Sequence, residues 1–237
     1  MNPAGGIDIY LLAGVRTWPS FLQPFGSRLT ERFQQEGCRD ATVRIVYPYG
    51  DYTRGLLRQI REVKRDLSGR KPGGAWIGGM AAAHAVRLGS AANRSVLLIG
   101  HSGGGVAACH AARLLLREGA VAHCRVVQIG SPKVRIHPDM RGLVGYFYAV
   151  DARGRRSDTV TRLGGWGGFR LTAGGWPVLD RRLHAPGHIG TIRIVGGHPD
   201  YFRTDPPFML GRESNLQRTL DAVWNWVWKS IGEDDSP

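Results

Sequence analysis

The stretch SVLLIGHSGGGVAACHAARLLL, residues 95–116, decides the fold. An apolar run from Val96 to Ile99 drives into Gly100-His101-Ser102-Gly103-Gly104-Gly105, and a helical pattern of small and apolar residues leaves on the other side. A buried strand turning sharply into a helix accounts for both halves. Three devices crowd glycines into such a turn. A phosphate loop needs Lys and then Ser or Thr after the last glycine, but Val106 and Ala107 stand there. A dinucleotide fingerprint can be drawn through Gly103, Gly105 and Ala108. It calls for an acid at the end of the next strand, which instead reads VVQIGSP. The third device, G-x-S-x-G, is met by Gly100, Ser102 and Gly103-Gly104. On that turn a serine takes a strained backbone, and small neighbours keep the adjacent strand and helix clear. The N–H groups that open the helix are then free to hold an oxyanion.

Outward from this stretch, strand-like and helix-like runs alternate. IDIYLLAG (7–14), TVRIVYP (42–48), SVLLIG (95–100), CRVVQIG (124–130), GLVGYFYAV (142–150) and TIRIVGG (191–197) read as strands. A first helix ends near Gly37. A second gathers Leu56, Leu57, Ile60, Val63 and Leu67 on one apolar face, is broken by KPGGAWIGGM and resumes at AAAHAVRL. The helix after Ser102 runs to about Glu118. A closing helix, Ser214 to Ile231, aligns Leu216, Leu220, Val223, Val227 and Ile231. Near-continuous apolar strands joined by helix-length connections predict a mostly parallel sheet of about six strands, flanked by helices. The expectation is one α/β domain over 1–237. Segment 162–190 has Trp166, Phe169, Trp176, many glycines and no clear period. It reads as a hairpin excursion or a flap over the substrate.

Composition narrows the class. Apolar residues make up 42% of the chain and charged residues 22%, ordinary values for a soluble globular protein. No apolar run is long enough to span a membrane, and MNPAGGIDIYLLAGV lacks the basic start of a secretory signal. Cys38, Cys109 and Cys124 have no metal-type spacing and leave one unpaired, which points to a reducing cytoplasm. The net charge of +13 is almost all arginine, scattered from Arg16 to Arg218, with a short cluster at Arg153-Gly154-Arg155-Arg156. Such scatter argues for a solvated basic surface over a nucleic-acid site. It would favour anionic substrates or an anionic membrane face. The sequence holds no H-E-x-x-H, no C-x-x-C and no carboxylate cluster, so neither a metal nor another cofactor is expected.

The elbow and its setting resemble the α/β-hydrolase superfamily, in particular the lipase-like serine esterases, over most of the chain. That resemblance implies a nucleophile, an acid and a histidine in that chain order, after the elbow strand, the penultimate strand and the last strand. Ser102 is then the nucleophile. His198 opens HPDYF, which is similar to the lipases' H-x-x-Y-[LF] stretch. Asp158, with Val160 and Leu163, matches D-x-V-x-x-L, and Asp151 at the strand end is the alternative acid. Gly103 and a residue of the loop after the first strand, Gly14 or Val15, are the implied oxyanion donors. The family's His-Gly pair at that loop is replaced by Ala13-Gly14. The implied activity is cofactor-free cleavage of a small-molecule or lipid carboxylic ester through an acyl-enzyme. A thioesterase or acyltransferase with the same nucleophile is the alternative, and so is a non-catalytic basic binding protein on this fold. Of the other histidines, His101 reads as packing, His84 and His110 as helix positions, and His188 as the wrong end of the sheet. Trp18, Trp76, Trp166 and Trp176 are candidates for core or pocket.

Overall fold

Six parallel strands form the central sheet of the computed structural model, which describes residues 6–69, 76–92 and 94–233, the side chains of 231–233 excepted. The strands in chain order are β1 (Ile7–Leu12), β2 (Ala41–Val46), β3 (Ser95–His101), β4 (His123–Ile129), β5 (Val144–Val150), β6 (Gly168–Leu171), β7 (Pro177–Asp180) and β8 (His188–Arg193), followed by a short pair, β9 (Met209–Leu210) and β10 (Glu213–Ser214). The sheet order is β2-β1-β3-β4-β5-β8, and β6 and β7 pair only with each other. Every neighbouring pair within the six is parallel.

Both faces of the sheet are covered, which is why its central strands carry apolar residues at consecutive positions. Ile9, Leu11, Leu97, Ile99, Val127 and Ile129 point to one side. There they pack on α1 (Gln23–Gln35) through Phe25, Leu29 and Phe33. The closing helix α5 (Asn215–Glu233) joins them through Leu220, Val223 and Val227, and Leu216 is buried too, as the spacing predicts. Ile231, expected on the same stripe, lies outside the described side chains. Tyr10, Leu12, Val96, Leu98 and Val126 point to the other side, against α3 (Ile77–Gly89) and α4 (Gly103–Arg117).

Helix α2 (Leu56–Ser68) packs only part of its expected face, Val63 and Leu67, against the core. Leu57 is 75% exposed, whereas the buried positions are Gln59 and Asp66. Both are satisfied by long-range hydrogen bonds. Asp66 accepts from the Tyr49 hydroxyl (3.0 Å) and from the N–H groups of Ile77 and Gly78 (2.9 and 2.8 Å). It thereby caps the N-terminus of α3 from another helix. Residues 71–75 of the expected break between α2 and α3 lie outside the described residues.

The last strand also differs from its expected bounds. It starts at His188 and stops at Arg193, so Val195 is in a loop. Val195 N–H and C=O bond instead to the side chain of Asn215, fully buried at the start of α5 (3.0 and 2.7 Å). A side chain thus replaces a strand neighbour, and the chain is free to turn back over the sheet.

Candidate active site

Strand order places the site before any side chain is considered. From β1 the chain moves outward to β2, then returns to the opposite side of β1 as β3. At such a reversal the loops beyond the carboxyl ends of the two strands separate and leave a crevice. Gly14 and Val15 follow β1 there, and Ser102 follows β3.

Ser102 has φ 56° and ψ −129°. Among the described residues, Ser102 and Arg16 are the non-glycine positions with φ above zero, and both belong to this crevice. Each glycine of the turn makes room for a different neighbour. A methyl on Gly104 would drive into the Leu12 carbonyl, and one on Gly100 into the backbone of Gly104 and Gly105. At Gly105 it would meet the Ser131 hydroxyl at 2.6 Å, and at Gly14 the Ser102 Cβ at 2.7 Å. These contacts bring the start of α4 against the end of β1 and fix the strained serine between them.

His198 reaches that serine from the loop after β8. Its Nε2 lies 2.9 Å from Ser102 Oγ and its Nδ1 3.0 Å from Asp158 Oδ2. The Asp158 side chain is fully buried, while that of His198 is a quarter exposed. The route of Asp158 to this point is a tight reversal. Asp151 closes the turn after β5 by accepting from the N–H groups of Arg153 and Arg155 (2.9 and 2.8 Å). The chain then doubles back, bridging Arg156 to Val150, and Ser157 N–H donates to Ala149 C=O. Asp151 itself pairs with the Arg155 guanidinium at 2.8 Å. The structure therefore brings Ser102, His198 and Asp158 together and leaves Asp151 at the outer turn.

Asp158 has further partners. The Tyr201 hydroxyl donates to Oδ2 (2.9 Å) while accepting from Ala149 N–H (2.8 Å), and Val160 N–H donates to Oδ1 (2.9 Å). Burial pushes the Asp158 carboxyl up. His198, Tyr201 and Val160 outweigh it, and the group lies below its ordinary range. Gly130, with φ 57°, makes this packing achievable: a methyl there would stand 2.7 Å from Asp158 Oδ2 and from the Tyr201 ring. Tyr201 was visible in HPDYF as a motif position, without a role. Nothing local signals Asn215, which also holds Asp200 C=O (2.8 Å) and so ties down both sides of the His198 loop.

Beneath His198 lies His101, with ring centroids 4.8 Å apart and planes tilted by 24°. Its Nε2 is 3.1 Å from the His198 carbonyl, which can only accept, so Nε2 carries the proton. Burial and the neighbouring His198 push its pKa down to about 3. His101 is thus a neutral donor at neutral pH, bracing the histidine loop without adding charge. On the opposite wall, Gln59 accepts from Arg16 N–H (2.8 Å) and donates to Asp51 C=O (2.6 Å). The unexpected burial of Gln59 on α2 is explained here, since it clamps the loop after β1 in its strained form.

Around Ser102 and His198 is a cavity of about 440 Å³. Val15, Thr17, Trp18, Phe21 and Pro199 contribute to its wall, with Arg203 among its charged lining residues. Trp18 is the one tryptophan of the four candidates to border it. Trp76 stacks on His110, Trp166 packs edge-on to Tyr146, and Trp176 stands on an exposed hairpin. No residue of 162–190 lines it. That segment forms the β6–β7 hairpin elsewhere. Among the described residues no cluster of His, Cys, Asp or Glu could hold a metal, and no helix is long and apolar enough to cross a membrane.

Comparison of the whole chain with solved structures finds RedJ, solved with a PEG molecule in its active site. It is 14% identical, with a TM-score of 0.50 over 94% of this chain and 95% of that one. The chain has the α/β-hydrolase fold. YbtT, a type II thioesterase of the yersiniabactin pathway, is 13% identical with a TM-score of 0.49, covering 97% of this chain and 94% of its own. An acetyl xylan esterase is 11% identical with a TM-score of 0.40, over 96% and 97%. No family model matches the sequence, and no curated protein matches it. At these identities the likeness to an α/β-hydrolase is one of fold.

Proposed function

We propose that this α/β-hydrolase cleaves acyl compounds, carboxylic esters or thioesters, with Ser102 as nucleophile, His198 as general base and Asp158 as the orienting acid. The observation that supports it is the continuous chain of hydrogen bonds from Ser102 Oγ through His198 to Asp158 (2.9 and 3.0 Å) at a strained serine. His198 Nε2 takes the Ser102 proton as Oγ attacks the carbonyl carbon. The C–O or C–S bond breaks, and the same proton goes to the leaving alcohol or thiol. Water then gives a proton to His198 as its oxygen attacks the acyl carbon; the Ser102 Oγ–acyl bond breaks, His198 returns that proton to Ser102 Oγ, and the acid is freed. Asp158 keeps the proton on Nδ1 and offsets the positive charge of the imidazolium. Its position below the ordinary carboxylate range keeps it ionised for that task.

Charge on the tetrahedral oxygen falls to the N–H groups of Gly103, at the start of α4, and of Gly14 or Val15 in the opposing loop. The helix N-terminus adds its positive end. The ester and thioester readings stand side by side, because RedJ is described as a thioesterase of prodiginine biosynthesis in Streptomyces coelicolor. Both pass through the same acyl-enzyme. A cavity of about 440 Å³ suits short to medium acyl groups.

The test is a fluorophosphonate probe followed by a panel of esters and thioesters graded by acyl length. Labelling confined to Ser102, with turnover on one arm of the panel, supports the reading. A folded protein that takes no label at any pH is a binding protein on this fold.

A further inference from the structure

Two features away from the Ser102 cavity adjoin each other. The first is the β6–β7 hairpin. Its cross-strand pairs Phe169–Leu179 and Leu171–Pro177 share one face, and all four residues are exposed. Phe169, Leu171 and Trp176 are 72%, 71% and 75% exposed. The opposite face carries Arg170, paired with Asp180 at 3.9 Å. A two-stranded ribbon with an uncovered apolar face is unusual for a surface in water.

The second feature is a cavity of about 760 Å³ at the root of that hairpin, which Gly165, Gly167 and His184 border. Arg113, Lys133 and Arg135 also line it, and among the described residues no carboxylate does. None of the three has an ion-pair partner among the described residues. Lys133 lies over the Trp166 ring (5.4 Å), and burial together with Arg156 pushes its pKa down. Burial and then Arg135 do the same to His184. Arg113, Lys133 and Arg135 are thus gathered in a concavity where, among the described residues, the neighbouring Asp139 pairs with His137 (3.0 Å) and not with them, an arrangement suited to a phosphate.

The charge of the surroundings selects what meets the apolar face. Residues 162–193 contain five arginines and one acid, Asp180. A second copy of this chain would bring like charges together. An anionic lipid surface has the opposite charge and an apolar layer directly beneath it, so it matches both features at once.

We infer that this side of the molecule docks on an anionic phospholipid bilayer, with the β6–β7 hairpin in the interfacial layer and a lipid phosphate in the cavity of Arg113, Lys133 and Arg135. Aromatic rings such as Phe169 and Trp176 suit the boundary between headgroups and acyl chains.

Co-sedimentation with vesicles of phosphatidylcholine, with and without phosphatidylglycerol, tests this. The wild-type protein should pellet with the phosphatidylglycerol vesicles and stay in solution with phosphatidylcholine alone. Phe169→Ser with Trp176→Ser should weaken pelleting about tenfold or more, since both side chains leave the acyl boundary. Lys133→Gln with Arg135→Gln should weaken it and flatten the response to phosphatidylglycerol. Thermal melts of each variant verify the fold, and Trp176→Ser alone serves if the double variant does not fold. Failure of the wild-type protein to pellet would overturn the inference. So would pelleting unchanged in the hairpin variants, which would reduce the effect to net charge. A hairpin-dependent dimer in sedimentation velocity would assign the face to a second copy and overturn it as well.

Discussion

The Ser102 crevice and the β6–β7 hairpin both depend on glycines and aromatic residues, yet they are built in opposite ways. Around Ser102 long-range hydrogen bonds hold the polar side chains, with the buried Nδ1 of His101 unpaired among the described residues. Asp158 has three partners, Gln59 clamps one loop and Asn215 ties another. On the hairpin the large side chains face solvent, and hydrogen bonds within the ribbon hold it. The crevice is determined by contacts between distant parts of the chain, whereas the hairpin is determined by its own short sequence. Substitutions should therefore act through chemistry and packing at the first and leave the fold alone at the second.

The largest effect is expected at Ser102. Ser102→Ala should lower turnover by ~10⁴- to 10⁶-fold while the melting temperature stays close to wild type. Steady-state rates beside a thermal melt check it, and activity within about tenfold of wild type would sink the serine mechanism. Next come the two aspartates. Asp158→Asn should cost ~10³-fold or more, because the amide disfavours the productive tautomer and no longer offsets the imidazolium. Asp151→Asn should keep most activity, because its bonds are to Arg153 and Arg155 in an exposed turn. Equal losses in both variants would mean that the turn, and not the charge, sets the rate.

Much of this architecture was legible in the sequence, and the reasons are specific. Strands buried on both faces announce themselves as apolar runs, and the glycines around Ser102 fit one kind of turn. The motif at 158–163 favoured Asp158 over Asp151 as the candidate acid. Less legible were the residues whose roles depend on distant partners. Gln59 and Asp66 look like the solvent side of an amphipathic helix, because their partners at Arg16 and Ile77 are far along the chain. Gly130 looks like an ordinary strand end, since the carboxylate that fills its space arrives 28 residues later, at Asp158. A period can show which face of a helix is apolar, but not that a buried polar side chain has a partner waiting.

Acid should expose the buried side of the comparison. Burial holds His101 at about 3, and burial with the nearby Arg113 holds His110 at about 4, both from 6.5. The unfolded chain takes up these protons near pH 6.5, and the folded chain only well below it. Stability from this source is therefore full above about pH 6.5 and is lost as pH falls toward 4, by about 1.4 kcal/mol per unit of depression. Replacing His110 with Gln should flatten the decline of melting temperature between pH 6.5 and 4, relative to wild type. An unchanged slope would show that His110 is already protonated in the folded protein.

The smallest effect belongs to the hairpin, and its smallness is the point. Phe169 and Leu171 are more than two-thirds exposed, so most of their apolar surface is in water whether the chain is folded or not. Removing a side chain that folding does not bury forfeits little transfer free energy. Phe169→Ser or Leu171→Ser should thus change unfolding free energy by about 0.5 kcal/mol or less, measured by urea denaturation. Gly104→Ala provides the contrast. Its methyl would meet the Leu12 carbonyl, a backbone group that cannot step aside without moving β1. That substitution should cost about 1–3 kcal/mol by the same measurement. A loss above about 2 kcal/mol for Phe169→Ser would mean that the hairpin face is covered in solution by the protein itself. The distinction between a crevice held by long-range contacts and a ribbon held by its own would then fail.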